Sequence, residues 1–457
     1  MNVGPFDSFI TRHWYSAEAR QIWSDAATLQ AWLDVEVALA AAQAELGLIP
    51  AEAAQVIGAR ADATAFDLER LSREIAFAQH PFVPVLRQFE ERCGEPAAGY
   101  IHWGATTQNI FDTAASLQMA KSHRLTLDFL ATAIARLVSL AQAHRATLQA
   151  GRTHGQHALP MTFGFKVAGW ADELARDRLR IEQRFSTSFV ASMGGAIGTF
   201  AAMGESGPAV ERLMAEKLGL APAGLPMRAS FDRVSDYVSA LGLLAGTAEK
   251  IGHDIVFLQR TEIGEVAEAF HLGKVGSSTM AQKRNPSTAL MLITMSRLLR
   301  AKLPLALESM VRMDEGDSSA SNIGDLLLPE IGVLAVSLAE TLEKLARGLV
   351  IHPEKMRRNA ELTNGLIVSE AVMMRLTATM GRHHAHHLLY EAAQRAIAEA
   401  IPFREAIREH PLLREHRLPP GFLDEALSLD NYTGESGRLV DVVSARLQPP
   451  RPGDVPT

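Results

Sequence analysis

Leu241, Leu244, Ala248, Ile251, Ile255 and Leu258 recur at alternating steps of three and four, which lays one apolar stripe along a helix. No other feature limits the fold as strongly. The same pattern fills 109–145, 161–185, 287–311 and 323–348. It predicts helices of roughly 25 to 37 residues, against about 11–12 for an ordinary globular helix. No series of short, β-branched, alternating runs interrupts them, which argues against a sheet-based fold. Stripes of this length suit an elongated all-α bundle whose faces pack on neighbouring helices or on other subunits.

Composition then removes whole classes of function. The chain has 457 residues, enough for about three domains of roughly 150 residues each. Hydrophobic residues make up 47% and supply a large core, while 21% are charged and sum to −7. That balance excludes a nucleic-acid footprint or a polybasic membrane patch. A single cysteine, Cys93, excludes an internal disulfide framework and fits a reducing compartment. The opening "MNVGPFDSFITRHWYSAEAR" has no basic segment followed by an apolar run, so no secretory signal is expected. Charged residues or histidine interrupt the apolar stretches before about 18 residues, so no membrane span is expected. A cytoplasmic location is the expectation.

Punctuation near "YIHWGAT" and "VIHP" divides the chain into an N-terminal helical domain (1–105), a central long-helix bundle (106–350) and a C-terminal helical domain (351–457). The proline-rich end, "QPPRPGDVPT", is expected to fray.

Three polar loops sit at predicted helix ends. "HWGATTQNIFDTA" offers Thr106, Thr107, Gln108 and Asn109 just before a helix. Such residues cap helices, and the same hydroxyls and amides can hold a carboxylate or phosphate. "GRTHGQHALP" carries His154, Gln156 and His157. A histidine pair three apart has no third ligand at a recognised metal spacing, whereas one imidazole can move a proton near neutral pH. "GSSTMAQKRNP" concentrates Ser277, Ser278, Thr279, Lys283, Arg284 and Asn285. That density of donors suits a developing oxyanion, and its order is not that of a P-loop.

Taken together, these three loops resemble the motifs of the fumarase/aspartase superfamily. "GSSTMAQKRNP" is similar to that family's GSSxMPxKxNP loop, "GRTHGQHALP" to its second motif and "GATTQNIFDTA" to its first. The segments "IWSDAATLQAWLDVEVALAAAQAELGLIP" and "NGLIVSEAVMMRLTATMGR" resemble the branch containing adenylosuccinate lyase and carboxymuconate cycloisomerase. The likeness covers nearly the whole chain. It implies a three-domain, mostly α subunit that assembles as a homotetramer, with active sites shared between subunits and no metal or organic cofactor. Carried over by position, Ser277 corresponds to the catalytic base and His154 to the acid-side histidine. Thr106 and Thr107 match the carboxylate clamp. Gln156, Ser278, Lys283 and Asn285 match substrate contacts, and His80 lines up with a second active-site histidine. The implied chemistry is β-elimination: a proton leaves the carbon beside a carboxylate, an aci-carboxylate forms, and fumarate is released.

Within the branch, cycloisomerases tend to carry tryptophan where this chain keeps His154, which favours elimination over lactonisation. The positions that hold the nucleotide in adenylosuccinate lyase are altered. Trp14 replaces an arginine, Ser230 a glutamine, and Gly316 and Asp325 stand at two further arginine positions. Neither glycine nor aspartate can replace a guanidinium fork on phosphate, and Asp314, Glu315 and Asp317 add repulsion. The expected substrate is therefore a small substituted succinate with an amino, substituted-amino or nitro leaving group. Carboxymuconate cycloisomerase and adenylosuccinate lyase remain the alternatives. Ala281 replaces the loop's usual proline, and Asn109 stands where an acid is common. Three other features read as structural. "MGGAIGT" marks a tight backbone passage, His383 and His387 an exposed helix start, and the acidic stretch a solvated helix end.

Overall fold

The apolar stripes fold into long helices in a computed structural model that describes residues 5–270, 276–415 and 418–447. Gly273 of the signature loop and the proline-rich end lie outside the described residues. The helices that matter below are α1 (Asp25–Glu45), α2 (Phe82–Cys93), α3 (Thr107–Ala143), α4 (Phe163–Ser188), α5 (Asp232–Leu258), α6 (Ser287–Arg300) and α7 (Ser318–Gly348).

Two helix boundaries depart from the periodicity. The stripe over 287–311 breaks after Arg300, and a short helix restarts at Leu303–Glu308. Pro304 is the cause: its ring collides with the carbonyl four residues back, that of Arg300, and it offers no amide hydrogen. Helix α7 begins at Ser318 rather than 323, because Asp317 caps it. That carboxylate accepts the Ser319 amide at 2.9 Å, the Ser319 hydroxyl at 2.6 Å and the Met313 amide at 3.1 Å. The acidic stretch is thus partly a helix cap. Pro329 lies inside α7 without ending it.

The fold is mostly helical, but all-α needs correction. Among the described residues there are three two-stranded sheets. Strands β1 (Leu148–Thr153) and β2 (Gln156–Thr162) form an antiparallel hairpin. Strands β3 (Val190–Ala191) and β4 (Ala221–Pro222) pair in parallel, and β5 (Val266–Glu268) pairs antiparallel with β6 (Leu349–Ile351).

Two compact units share the chain. The first comprises Met1–Ala131, Arg176–Glu249 and Met291–Leu342, and the second Thr132–Ala175, Lys250–Leu290 and Glu343–Thr457. These follow contacts, whereas the division at 105 and 350 follows chain punctuation. In the first unit, Val35 and Leu39 of α1, Phe82 and Phe89 of α2, and Ile110 and Ala114 of α3 share one core. Trp32 stacks on Phe111 at 4.8 Å. Gly332 of α7 has no room for a side chain, since a Cβ would lie 2.4 Å from the Trp23 ring nitrogen. In the second unit one core gathers Val372, Leu376, Leu388, Phe403 and Ile407. Another seats Leu148 and Ala150 of β1 against Ala360, Ile367 and Val368.

By length and composition α3 and α7 are apolar enough to cross a membrane, which corrects the expectation that no stretch would be. Their most apolar windows are 44% and 61% buried inside the protein, so these faces pack on protein.

One buried histidine makes the first unit pH-sensitive. His123 of α3 is only 7% exposed. It stacks on Phe185 at 4.7 Å, and its Nδ1 lies 2.9 Å from the Tyr237 hydroxyl. Burial, with Arg124 and Arg178 adding to it, pulls the imidazole from 6.5 down to about 4. Above about pH 6.5 folded and unfolded chains both hold it neutral. As pH falls toward 4, only the unfolded chain takes up the proton, so stability declines by about 3 kcal/mol. His123→Phe should flatten that part of the stability profile measured by denaturant unfolding. An unchanged slope would remove His123 as its source.

Candidate active site

The first motif folds as half of a capping box. Asn109, in the first turn of α3, is 1% exposed. Its side-chain oxygen accepts the Thr106 amide at 3.1 Å, the backward arm of the box. The forward arm, which a Thr106 hydroxyl would supply, is not made among the described residues; the Asn109 amide instead donates to the Thr106 carbonyl at 2.9 Å. The capping is therefore done by Asn109. Both threonine hydroxyls are left available beside the positive end of a 37-residue helix. Asn109 also accepts the Gly195 amide at 3.1 Å, which ties this helix start to "MGGAIGT". That segment is the expected tight passage: Cβ atoms on Gly194 and Gly198 would each lie 2.5 Å from Pro226. His80 caps α2, its Nδ1 accepting the Phe82 and Val83 amides at 3.3 and 3.2 Å. Its proton therefore sits on Nε2.

The second motif is a β-hairpin tip, not a loop between helices. Thr153 pairs with Gln156 across a two-residue turn made by His154 and Gly155, both with positive φ (52° and 78°). Two such residues in succession give the turn whose twist matches a hairpin. A left-handed histidine is an uncommon conformation for a non-glycine residue. It leaves the side chains of His154 and Gln156 exposed. Below the tip, Glu265 is fully buried and accepts from Gln149 at 2.7 Å, from Arg152 at 2.5 Å and from Asn359 at 2.8 Å. The strand that leads into His154 is thus tied down two residues before it. Lys166 and Trp170 both turn to Asp254, at 3.7 and 2.9 Å, so Lys166 has a protein partner.

The third motif is closed at its base and open at its tip. Asn285 donates its side-chain amide to the Gly276 carbonyl at 2.7 Å, and a Cβ on Gly276 would lie 2.3 Å from the Lys283 carbonyl. Only glycine allows that approach. Between these residues the Ser277 hydroxyl oxygen accepts two backbone amides, Met280 at 3.0 Å and Thr279 at 3.3 Å. Ser278 and Lys283 are exposed. The far shoulder is anchored by Glu268, which accepts the Thr288 and Ala289 amides at 3.0 and 2.7 Å at the start of α6. Gln259 holds the Arg284 carbonyl at 3.1 Å.

Of the nine expected residues, His80, Thr106 and Thr107 belong to the first unit. His154, Gln156, Ser277, Ser278, Lys283 and Asn285 belong to the second. The structure brings together Thr106 with Thr107, and Ser277 with Ser278, Lys283 and Asn285. The sequence reading missed a cavity of about 280 Å³ in the first unit, lined by Asp112, Ser116, Arg228, Ser230 and Arg312 among others and by none of the nine. Arg312 stacks on Phe231 at 4.5 Å and donates to the carbonyls of Ser309 and Arg228 at 3.0 and 2.9 Å. Burial raises the Asp112 carboxyl, opposed by the Gln108 amide 2.7 Å away. Partial burial, then repulsion from Asp112, lifts Asp325 to about 6, with Arg312 opposing. The buried Glu265 was missed as well; its only signal was an acid flanked by apolar residues in "GEVAEAF".

A family model described as lyase matches residues 14–298, and one described as adenylosuccinate lyase C-terminus matches 365–443. An N-acetyl-S-(2-succino)cysteine lyase from Dickeya dadantii is 37% identical over 426 residues, covering 93% of each chain. An adenylosuccinate lyase from Pyrococcus horikoshii is 38% identical over 430 residues, covering 94% of this chain and 95% of its own. The crystal structure of a 3-carboxy-cis,cis-muconate lactonizing enzyme from Pseudomonas putida superposes with a TM-score of 0.89 at 33% identity. It covers 95% of this chain and 98% of that one.

Glu265→Ala should destabilise the protein by about 3–5 kcal/mol, because it strands the mostly buried Arg152 cation without a counter-charge. Denaturant unfolding measures this, and a loss under about 1 kcal/mol would mean that Arg152 finds water.

Proposed function

The chain belongs to the fumarase/aspartase superfamily of lyases, in the branch of adenylosuccinate lyase and carboxymuconate cycloisomerase, and from there we propose that it eliminates a small leaving group from a substituted succinate to release fumarate. Ser277 is the base. Its oxygen accepts two backbone amides, and such donors favour an alkoxide over a hydroxyl. This is the observation that carries the reading. The alkoxide takes the proton from the carbon beside a carboxylate, and the electron pair moves into that carboxylate to give an aci-carboxylate dianion. Lys283 and the two uncommitted threonine hydroxyls supply the positive and hydrogen-bonding groups that such a dianion needs. The carbon–heteroatom bond then breaks, and His154 protonates the departing group. His80, with its hydrogen on Nε2, donates to the same substrate.

The leaving group is an amine, a substituted amine, nitrite or a thiolate. The last enters through the Dickeya dadantii relative, whose name describes a succinyl thioether. Lactonisation is the second reading, favoured by the likeness to the lactonizing enzyme and opposed by His154. A homotetramer with shared active sites, built from three-domain subunits, completes the proposal. Long-helix leucines left uncovered in the single chain support it, among them Leu243 at 55% and Leu326 at 64% exposed.

Run in the addition direction, fumarate with ammonia, hydroxylamine, nitrite, amines or thiols should lose its absorbance with at least one partner. Ser277→Ala should slow that reaction by at least about a hundredfold, while His154→Asn, which tolerates the left-handed turn, should slow it without unfolding the protein. Full turnover by Ser277→Ala would end the proposed base. Lactone formed from carboxymuconate, with no addition to fumarate, would favour the second reading. A solution mass of one chain would remove the shared sites.

A further inference from the structure

The first unit's cavity has a chemistry that the elimination reading leaves unused. Three guanidinium groups line it, those of Arg228, Arg233 and Arg312, and none is ion-paired with a carboxylate among the described residues. Arg233 donates to the Ala223 carbonyl at 3.3 Å, and Arg228 and Arg312 lie together. Arg228 donates one Nη to the Ala196 carbonyl at 2.5 Å, while its Nε is buried with no hydrogen-bond partner among the described residues. A buried donor left unmatched carries a desolvation cost that an acceptor on a ligand would relieve. Arg312 is fixed from behind by the Ser309 and Arg228 carbonyls and by the Phe231 ring. The two cations sit close enough that Arg228 opposes the charge on Arg312. Space is reserved for the pair, because a Cβ on Gly316 would already lie 3.2 Å from the Arg228 guanidinium carbon.

Asp112, Asp317 and Asp325 partly offset this positive charge. They make the place unsuited to a phosphate dianion and leave it suited to one carboxylate. The cavity adjoins the expected carboxylate clamp within the same unit. Asp112 lies six residues beyond Thr106, about 9 Å along the helix axis. The connection is also bonded: Asn109 holds Gly195, and the next residue, Ala196, accepts from Arg228.

We propose that Arg228 and Arg312 hold a carboxylate carried by the leaving group, so that the substrates are succinates whose departing amine or thiol bears its own acid. The inference rests on the elimination reading and narrows it. Arg228 is then a specificity residue: it binds the end of the substrate that is not reacting and takes no part in moving protons. Glycine at 316 leaves room for it, and the cation enters from the segment before α5.

The test compares two thiols that differ by one carboxylate, N-acetylcysteine and N-acetylcysteamine, each added to fumarate. Wild-type protein should prefer the first. Arg228→Met should lower the ratio of their kcat/KM values by about tenfold or more, and Arg228→Lys should restore part of it. An unchanged ratio in Arg228→Met overturns the proposal, as does a wild-type preference for the uncharged thiol. Calorimetric binding of both thiols to wild type and to Arg228→Met separates this from the chemistry. Binding of the acid that Arg228→Met loses, with no addition of any thiol, amine, hydroxylamine or nitrite to fumarate, would keep the pocket and sink the elimination. Equal binding of both thiols to wild type would sink the pocket whatever the turnover. Thermal melting of both variants near the wild-type midpoint shows that the ratio reports recognition rather than unfolding.

Discussion

The Glu265 carboxylate has no contact with solvent, and it orders the second unit. Its partners come from two strand residues, Gln149 and Arg152, and from Asn359 on the helix Pro353–Glu361. A buried ion pair adds little net stability, because both ions must first lose water. What it supplies is uniqueness, since the strand that leads to His154 has one arrangement that satisfies all three donors. Three residues on, Glu268 binds the first amides of α6 and so fixes the far shoulder of the serine loop. One short segment, 265–268, thus anchors both polar motifs of that unit. The motifs themselves are free to be exposed, polar and strained, as groups that meet substrate must be.

The long helices were readable because their information is local and repeated: an apolar residue every three or four positions states both the element and its buried face. The break after Arg300 was passed over by a periodicity that runs on to 311; Pro304 marks it, but Pro329 shows why proline alone decides little. In α7 the packing around Ile331, Val333 and Leu334, all buried, outweighs one lost backbone bond. The hairpin was hidden for a different reason. Its strands are short, and β1 reads Leu-Gln-Ala-Gly-Arg-Thr, with few β-branched residues; it is held by Glu265 and by the core around Ile367 and Val368, contacts more than a hundred residues distant. The site residues were recognisable as motifs, whereas their geometry was not. "HWGATTQN" offers threonine and asparagine alike as caps, and it does not say that Asn109 would take that role and leave both threonines available.

That exchange of roles explains one departure from the family pattern in physical terms. An acid at position 109 would place a negative charge within reach of the Thr106 hydroxyl, beside the spot where a carboxylate is to bind. Asn109 accepts the same two amides through its neutral oxygen and adds no repulsion. Its own amide nitrogen is buried without a partner among the described residues, an unmet donor beside the proposed carboxylate clamp.

The same logic extends to the arginine-lined cavity. A nucleotide-binding relative needs cations spaced for a phosphate, and the positions expected to supply them hold Gly316, just before α7, and Asp325 within it. Here Arg228 supplies a cation, held against "MGGAIGT" through the Ala196 carbonyl. A guanidinium supported by backbone carbonyls and a glycine has little freedom, so it selects by distance as well as by charge. Asp112 sharpens that selection. Its carboxyl, raised by burial, faces both arginines, so an entering anion competes with it for them. One carboxylate can win such a contest by bidentate geometry. A more highly charged group would meet Asp112, Asp317 and Asp325 together, and its added attraction to two arginines would be offset by three acids.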